Sequence, residues 1–137
     1  MKKKPIQVTA AVIIQNRKIL IAQRKKDRHM GLKWEFPGGK IRPGETPEAC
    51  LVRELQEEFS IETQIRQFFL RSVHHYHDKS IELISFLVEY KAGKFELHDH
   101  EEIKWISRDE LKNYDFAAAD LPIVEKLSTL QMYGKLE

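Results

Sequence analysis

Three glutamates, Glu54, Glu57 and Glu58, stand at the spacing i, i+3, i+4. In a helix, a turn of about 100° per residue brings their carboxylates together on one face. Like charges at this spacing repel by roughly a few tenths of a kcal/mol per pair, and Arg53, four residues before Glu57, offsets part of that cost. Hard divalent cations such as Mg²⁺ and Mn²⁺ prefer oxygen ligands of this kind. The cluster therefore indicates either a metal-binding face or a solvated acidic face.

The segment that carries these glutamates has the start signals of a helix. Thr46 is a favoured N-cap residue, Pro47 suits the first helical position, and Glu48 adds negative charge to the first turn. A helix is therefore predicted over residues 47–59. Its apolar face, expected to pack on a sheet, is formed by Leu51, Val52, Leu55 and Phe59.

The rest of the chain alternates between predicted strands and helices. Strands are expected at Val8–Ile14, Lys18–Gln23, Trp34–Phe36, Arg66–Tyr76, Ser80–Tyr90 and Ile103–Ile106. Ser107 and Glu110 form a capping-box pair before a short helix, and a last helix begins at Asp120 or Leu121. Antiparallel hairpins mixed with helices predict an α+β sandwich, with residues 1–137 as a single domain.

Composition excludes several classes of protein. The net charge of +2 is too small to indicate a nucleic-acid polymer or a membrane surface as partner. No apolar run is long enough to span a bilayer. The single cysteine, Cys50, cannot form an internal disulfide and fits a reducing compartment. These observations predict a cytoplasmic protein. A monomer or a homodimer is expected, and the sequence does not choose between them.

The spacing around the glutamates resembles the signature of the Nudix hydrolases. That signature is a glycine, five residues, Glu, seven residues, Arg-Glu, an aliphatic residue, one residue, Glu-Glu, one residue, a glycine and an aliphatic residue. The matching positions here are Gly39, Glu45, Arg53, Glu54, Leu55, Glu57, Glu58, Ser60 and Ile61. Ser60 stands where the family has a glycine that ends the helix, and a left-handed serine there costs up to about 1 kcal/mol.

The resemblance implies a fold, a reaction and a set of roles. The fold is an α/β/α sandwich with a mixed β-sheet between helices, and the cofactor is Mg²⁺, with Mn²⁺ as a substitute. The implied metal ligands are the carboxylates of Glu54, Glu57 and Glu58 and the backbone carbonyl of Gly38. Arg53 would orient a glutamate, and Glu45 would support the loop that begins at Gly39. Glu54, Glu57 and Arg53 are thus the expected catalytic residues within the signature.

A further carboxylate outside the signature often completes the site in this family, in a loop before a late strand. Counting back from Trp105, Asp99 matches that position, as metal ligand or general base, with Glu101 or Glu102 as the reserve. An aspartate is one methylene shorter than the glutamate usual there. The alternative is an acidic loop that is only solvated.

Residues outside the signature resemble the MutT-like branch, whose members release a nucleoside monophosphate and pyrophosphate from a triphosphate. The resemblance implies that Arg24 contacts the phosphates and that Asp120 hydrogen-bonds the base edge. Asp120 as a plain helix cap, and Phe36 as a core residue rather than a wall of the base site, are the structural alternatives. The implied substrates are CTP or dCTP, 5-substituted dCTP or 8-oxo-dGTP, which would make the enzyme a nucleotide-pool sanitiser. An enzyme for another nucleoside diphosphate-linked compound, or a non-catalytic nucleotide-binding module, remains the alternative.

Overall fold

The computed structural model describes residues 4–130. The strands are β1 (Ile6–Gln15), β2 (Lys18–Arg24), β3 (Trp34–Glu35), β4 (Glu62–His75), β5 (Ser80–Ala92) and β6 (His100–Ile106). There are two α-helices, α1 (Pro47–Phe59) and α2 (Leu121–Thr129), and two short 3₁₀ helices, at Arg108–Asn113 and Ala118–Asp120, lie between β6 and α2. Among the described residues, no helix has the length and apolarity needed to cross a membrane.

The six strands form one mixed sheet. The main path runs β3-β2-β1-β5-β4, and β6 pairs with β2 beside it. β1 and β5 are parallel, whereas the other pairs are antiparallel. β1 and β2 form an antiparallel hairpin, and its turn places Asn16 and Arg17 at positive φ values of 53° and 65°. Two left-handed residues match the right-handed twist of the flanking strands.

Helices cover both faces of this sheet. Alternate residues of β1 point to opposite sides, so Ala11 and Ile13 pack in the cluster with α1, and Ala10 and Val12 pack in the cluster with α2. On the first side the helix contributes Leu51, Leu55 and Phe59, and on the other side it contributes Ile123, Val124 and Leu127. The α/β/α sandwich is therefore confirmed.

Several element boundaries differ from the sequence prediction. Helix α1 keeps its predicted limits, but Val52 is 40% exposed rather than part of the apolar face. The buried face of α1 contains positions 50, 51, 55, 58 and 59. Val52 lies outside this face, one turn before the exposed Gln56. Strand β3 ends one residue before Phe36, whereas β6 begins at His100, three residues earlier than predicted, because it pairs with β2.

Candidate active site

Two glycines bring the loop before α1 against the sheet. The N–H of Thr9 donates to the carbonyl of Gly39 over 2.8 Å, and that of Ala11 donates to Pro37 over 2.7 Å. A Cβ on Gly38 would lie 2.0 Å from the carbonyl oxygen of Thr9, and one on Gly39 would lie 2.3 Å from Cδ of Glu54. The first glycine therefore permits contact with β1, and the second permits the carboxylate of Glu54 to rest on the loop.

Arg53 joins this loop to the acidic face of α1. Its Nε–H donates to Oε2 of Glu45 over 2.6 Å, and an Nη2–H donates to Oε1 over 2.9 Å, which is a bidentate pair. Hydrogen bonds from Arg53 and from the backbone N–H of Arg42 lower the pKa of Glu45 to about 2. Nη1 of Arg53 also donates to Glu54 over 2.9 Å and to Glu57 over 3.1 Å. One guanidinium therefore fixes three carboxylates.

The three glutamates on α1 differ in burial. Glu57 is half-exposed, Glu54 is largely covered, and Glu58 is only 6% exposed. Burial raises the pKa of Glu54, and burial together with the negative charges of Glu35 and Glu54 raises the pKa of Glu58 well above its usual range. Oε1 of Glu58 is buried and has no hydrogen-bond partner within residues 4–130. A hard cation would satisfy this oxygen and offset the repulsion, so these residues fit a divalent metal.

The loop before β6 lies near this face. Asp99 pairs with Arg28 over 2.7 Å, and its negative charge contributes to the raised pKa of Glu58. Glu101 and Glu102 are exposed on β6. The structure thus brings Asp99 close to the acidic face, while its role as a metal ligand or general base stays a prediction.

Two residues that the sequence analysis did not select complete the interior of the site. Nε2 of His100 lies 2.8 Å from Oε2 of Glu35 and 3.5 Å from Oε2 of Glu58. One ligand atom from each of these side chains lies within 4.8 Å of the others. The polar start of β6 was a weak signal for a buried histidine, since the three residues meet only when β2, β3, β6 and α1 assemble.

A cavity of about 120 Å³ lies beside this cluster. Its lining includes Arg24, Glu35, Tyr76, Ala119 and Asp120. Arg24 is held at both ends of its guanidinium, donating from Nε to the carbonyl of His29 over 2.6 Å and from Nη1 to Glu35 over 2.8 Å. The N–H of Ala119 donates to the hydroxyl of Tyr76, which fixes the segment before Asp120.

Asp120 occupies the position before α2, but its side chain makes no capping hydrogen bond there. It is 5% exposed, and Oδ2 accepts a hydrogen bond of 3.3 Å from the N–H of Phe36. Burial raises the pKa of Asp120 well above its usual range, and the negative charge of Glu35 adds to the shift. The rings of Phe36 and Phe116 stack in the core with their centroids 5.2 Å apart. This position agrees with the alternative in which Phe36 is a core residue. Phe36 therefore supports Asp120 through its backbone.

The sequence matches the NUDIX domain over residues 5–127. It is 39% identical to the 8-oxo-dGTP diphosphatase of Escherichia coli (strain K12) over 128 residues, which cover 93% of this chain and 99% of that protein. It is 35% identical to the CTP pyrophosphohydrolase of the same strain over 128 residues, covering 93% and 95% of the two chains. The solution structure of the E. coli ORF135 protein superposes with a TM-score of 0.83 at 35% identity, covering 94% of this chain and 92% of that one.

A mixed sheet between helices, carrying an acidic helix face clamped by an arginine, defines the class as a Nudix-type α+β fold. This chain belongs to the Nudix family and is a hydrolase of that family. Nudix hydrolases act on nucleotide substrates and generally use divalent metals.

Proposed function

We propose that this enzyme hydrolyses a nucleoside triphosphate to the monophosphate and pyrophosphate, as part of nucleotide-pool sanitation. The observation that carries the proposal is the position of Glu35. This residue lines the cavity that contains Asp120 and also lies 2.8 Å from His100, which contacts Glu58 of the acidic face. A nucleotide with its base in the cavity would therefore direct its phosphates towards the carboxylates of α1.

The cofactor in this proposal is Mg²⁺, with Mn²⁺ as a substitute. When bound, the metal neutralises phosphate charge and lowers the pKa of a bound water for in-line attack. The residues that would hold it are Glu54, Glu57 and Glu58, with the carbonyl of Gly38 and Asp99, or else Glu101 or Glu102. Arg53 contributes by fixing two of these carboxylates before the ligand arrives.

The substrates in this proposal are CTP or dCTP, 5-substituted dCTP and 8-oxo-dGTP. Of these, CTP and 8-oxo-dGTP are the substrates in the names of the two E. coli relatives. Burial favours the protonated form of Asp120, and N–H donors of a bound base would favour its ionised form. The ionised carboxylate accepts hydrogen bonds from the exocyclic amine of cytosine, or from N1–H and N2–H of guanine. Arg24 would contact the phosphates. Asp120→Ala should change the relative rates for CTP, dCTP and 8-oxo-dGTP more than it changes phosphate binding, and unchanged relative rates would remove the base-reading role.

The setting of the reaction belongs to the same proposal. Residues 1–137 would act as one domain in the cytoplasm, as a monomer or homodimer. The small net charge of +2 supports a free nucleotide as substrate rather than a nucleic-acid polymer or a membrane-bound compound.

The decisive experiment is a substrate panel with Mg²⁺ that measures pyrophosphate and phosphate release separately. The panel contains CTP, dCTP, a 5-substituted dCTP, 8-oxo-dGTP, a dinucleotide pyrophosphate and a sugar nucleotide. We expect pyrophosphate release from triphosphates, and turnover lower by orders of magnitude in Glu57→Gln. Glu48→Gln removes an exposed carboxylate from the first turn of the same helix, and it is the matched control that should retain turnover.

Three results would contradict the proposal. Phosphate release would place the cut at another bond, and hydrolysis restricted to the sugar nucleotide or dinucleotide would place the enzyme in another branch of the family. Nucleotide binding without any hydrolysis would indicate a binding module.

A further inference from the structure

His100 is buried between the acidic face and the cavity. The residue is 4% exposed, and its Nε2 faces Glu35 at 2.8 Å and Glu58 at 3.5 Å. Nδ1 is buried and has no hydrogen-bond partner in the described part of the chain. The contacts of the ring therefore match the neutral tautomer with the proton on Nε2, which donates to Glu35 and lies 3.5 Å from Oε2 of Glu58.

Glu35 is an immobile partner for this donor. Its other oxygen accepts a hydrogen bond of 2.8 Å from Arg24, and its backbone belongs to β3, where Glu35 pairs with Ala22 of β2. Arg24 is also the residue of β2 that pairs with His100 in the β2–β6 ladder. Arg24, Glu35 and His100 are therefore linked to one another, by strand pairing between Arg24 and His100 and by side-chain hydrogen bonds from Arg24 and His100 to Glu35.

The imidazole has a second contact that does not involve hydrogen bonds. Its ring stacks on Phe59 with centroids 5.2 Å apart and an interplanar angle of 16°. Packing against α1 and donation from Nε2 are two separate functions of the same side chain, and different substitutions can separate them. A ring nitrogen that binds metal usually has its other N–H donated to an acceptor, which Nδ1 lacks here. This favours hydrogen-bond donation over direct metal ligation.

We propose that His100 is a positioning residue: its imidazole, fixed by donation from Nε2–H to Glu35, lies 3.5 Å from Oε2 of Glu58 and so keeps that carboxylate in the orientation that binds a divalent cation. The inference rests on the proposed metal-binding role of Glu58. It identifies a histidine, outside the signature residues, as part of the machinery that prepares the acidic face. It also connects that face to Arg24 and the cavity through a continuous series of polar contacts.

The test measures Mn²⁺ affinity in the absence of nucleotide, from the decrease of the free-ion signal in electron paramagnetic resonance. His100→Phe keeps an aromatic ring on Phe59 but removes the donor. His100→Gln removes the ring but places an amide N–H near the position of Nε2. We expect His100→Phe to bind Mn²⁺ about 10- to 100-fold more weakly, and His100→Gln to stay close to the parent enzyme.

The opposite pattern, with weak binding in His100→Gln and normal binding in His100→Phe, would overturn the proposal and leave a packing role. Equal affinity in all three proteins would also overturn it. A parent enzyme that binds no Mn²⁺ would remove the metal assignment itself, which distinguishes that failure from the failure of positioning.

One further variant and one further measurement guard against ambiguous results. If His100→Phe does not fold, His100→Asn provides the comparison, because its amide mimics Nδ1 and does not reach the position of Nε2. Visible absorption with Co²⁺ addresses direct ligation. A tetrahedral spectrum that disappears in both His100→Asn and His100→Gln would show a nitrogen ligand and overturn the hydrogen-bond role.

Discussion

Asp120 carries a buried carboxyl group that works against the stability of the fold at neutral pH. Burial raises its pKa, so the folded protein holds this proton at pH values where the unfolded chain has released it. The stabilisation of the folded state by this bound proton is therefore fully present below the ordinary aspartate pKa. It is lost as the pH rises through the raised pKa of Asp120 in the folded state.

We expect Asp120→Asn to raise the free energy of unfolding at pH 8 more than at pH 4, by roughly 1 kcal/mol or more, because a neutral amide avoids the cost of burying a charge. The amide oxygen can still accept the hydrogen bond from Phe36. Urea unfolding of both proteins at several pH values between 4 and 8 measures the difference. A stability difference that is independent of pH would show that Asp120 does not titrate in this way.

Gly39 is a position where a single residue decides the geometry of the site. A Cβ there would lie 2.3 Å from Cδ of Glu54, a distance that no real side chain tolerates. The neighbour is the end of a side chain rather than backbone, so Gly39→Ala should displace the carboxylate and leave the fold in place.

For Gly39→Ala we expect Mg²⁺-dependent kcat to fall by about 100-fold, since a displacement of about 1 Å at a catalytic group has that effect. The thermal midpoint should change little. Steady-state kinetics and a melting curve on the same preparation separate the two effects. Full turnover would mean that Glu54 has another productive position.

At the level of elements, the end of α1 is strained. Ser60 follows the helix in the left-handed region, with φ 59° and ψ 37°, and its N–H donates to the carbonyl of Gln56. Its hydroxyl also contacts Nε2 of His98 at 2.9 Å, on the surface. Left-handed backbone costs a serine up to about 1 kcal/mol relative to glycine, whereas an exposed hydrogen bond contributes less.

We therefore expect Ser60→Gly to raise the free energy of unfolding by a few tenths of a kcal/mol up to about 1 kcal/mol, with unchanged Mg²⁺-dependent turnover. Ser60→Ala is the matched control, because it keeps the strain and loses only the contact with His98. It should be slightly less stable than the parent protein. Chemical denaturation ranks the three proteins, and a glycine variant less stable than the alanine variant would contradict the strain argument.

The sequence predicts the helix α1 better than it predicts the full set of residues in the candidate active site. The limits of α1 were predicted correctly because Thr46 and Pro47 specify its start locally, and the Thr46 cap is present. The signature glutamates were found because their spacing is local to one helix. Glu35 and His100 were missed because they are 65 residues apart in sequence and meet only through the pairing of β2 with β3 and β6.

At the scale of the whole molecule, charge is unevenly distributed although the net charge is only +2. Glu58 of α1 contacts His100, which is paired with Glu35, whereas Arg24 and Arg28 form ion pairs with Glu35 and Asp99. Folding brings the negative groups together, and the unfolded chain separates them. The folded state therefore should bind a divalent cation much more tightly than the unfolded state does.

This difference predicts that Mg²⁺ or Mn²⁺ stabilises the protein without any nucleotide. A ligand that binds only the folded state at about 100 times its dissociation constant adds about 2.7 kcal/mol. The thermal midpoint should therefore rise by several degrees with either metal, and much less in Glu57→Gln. KCl at equal ionic strength is the necessary control, because salt screening alone also relieves repulsion between exposed carboxylates. If KCl raised the midpoint as much as Mg²⁺, the acidic face would be a solvated surface, and the catalytic assignment of its three glutamates would lose its physical basis.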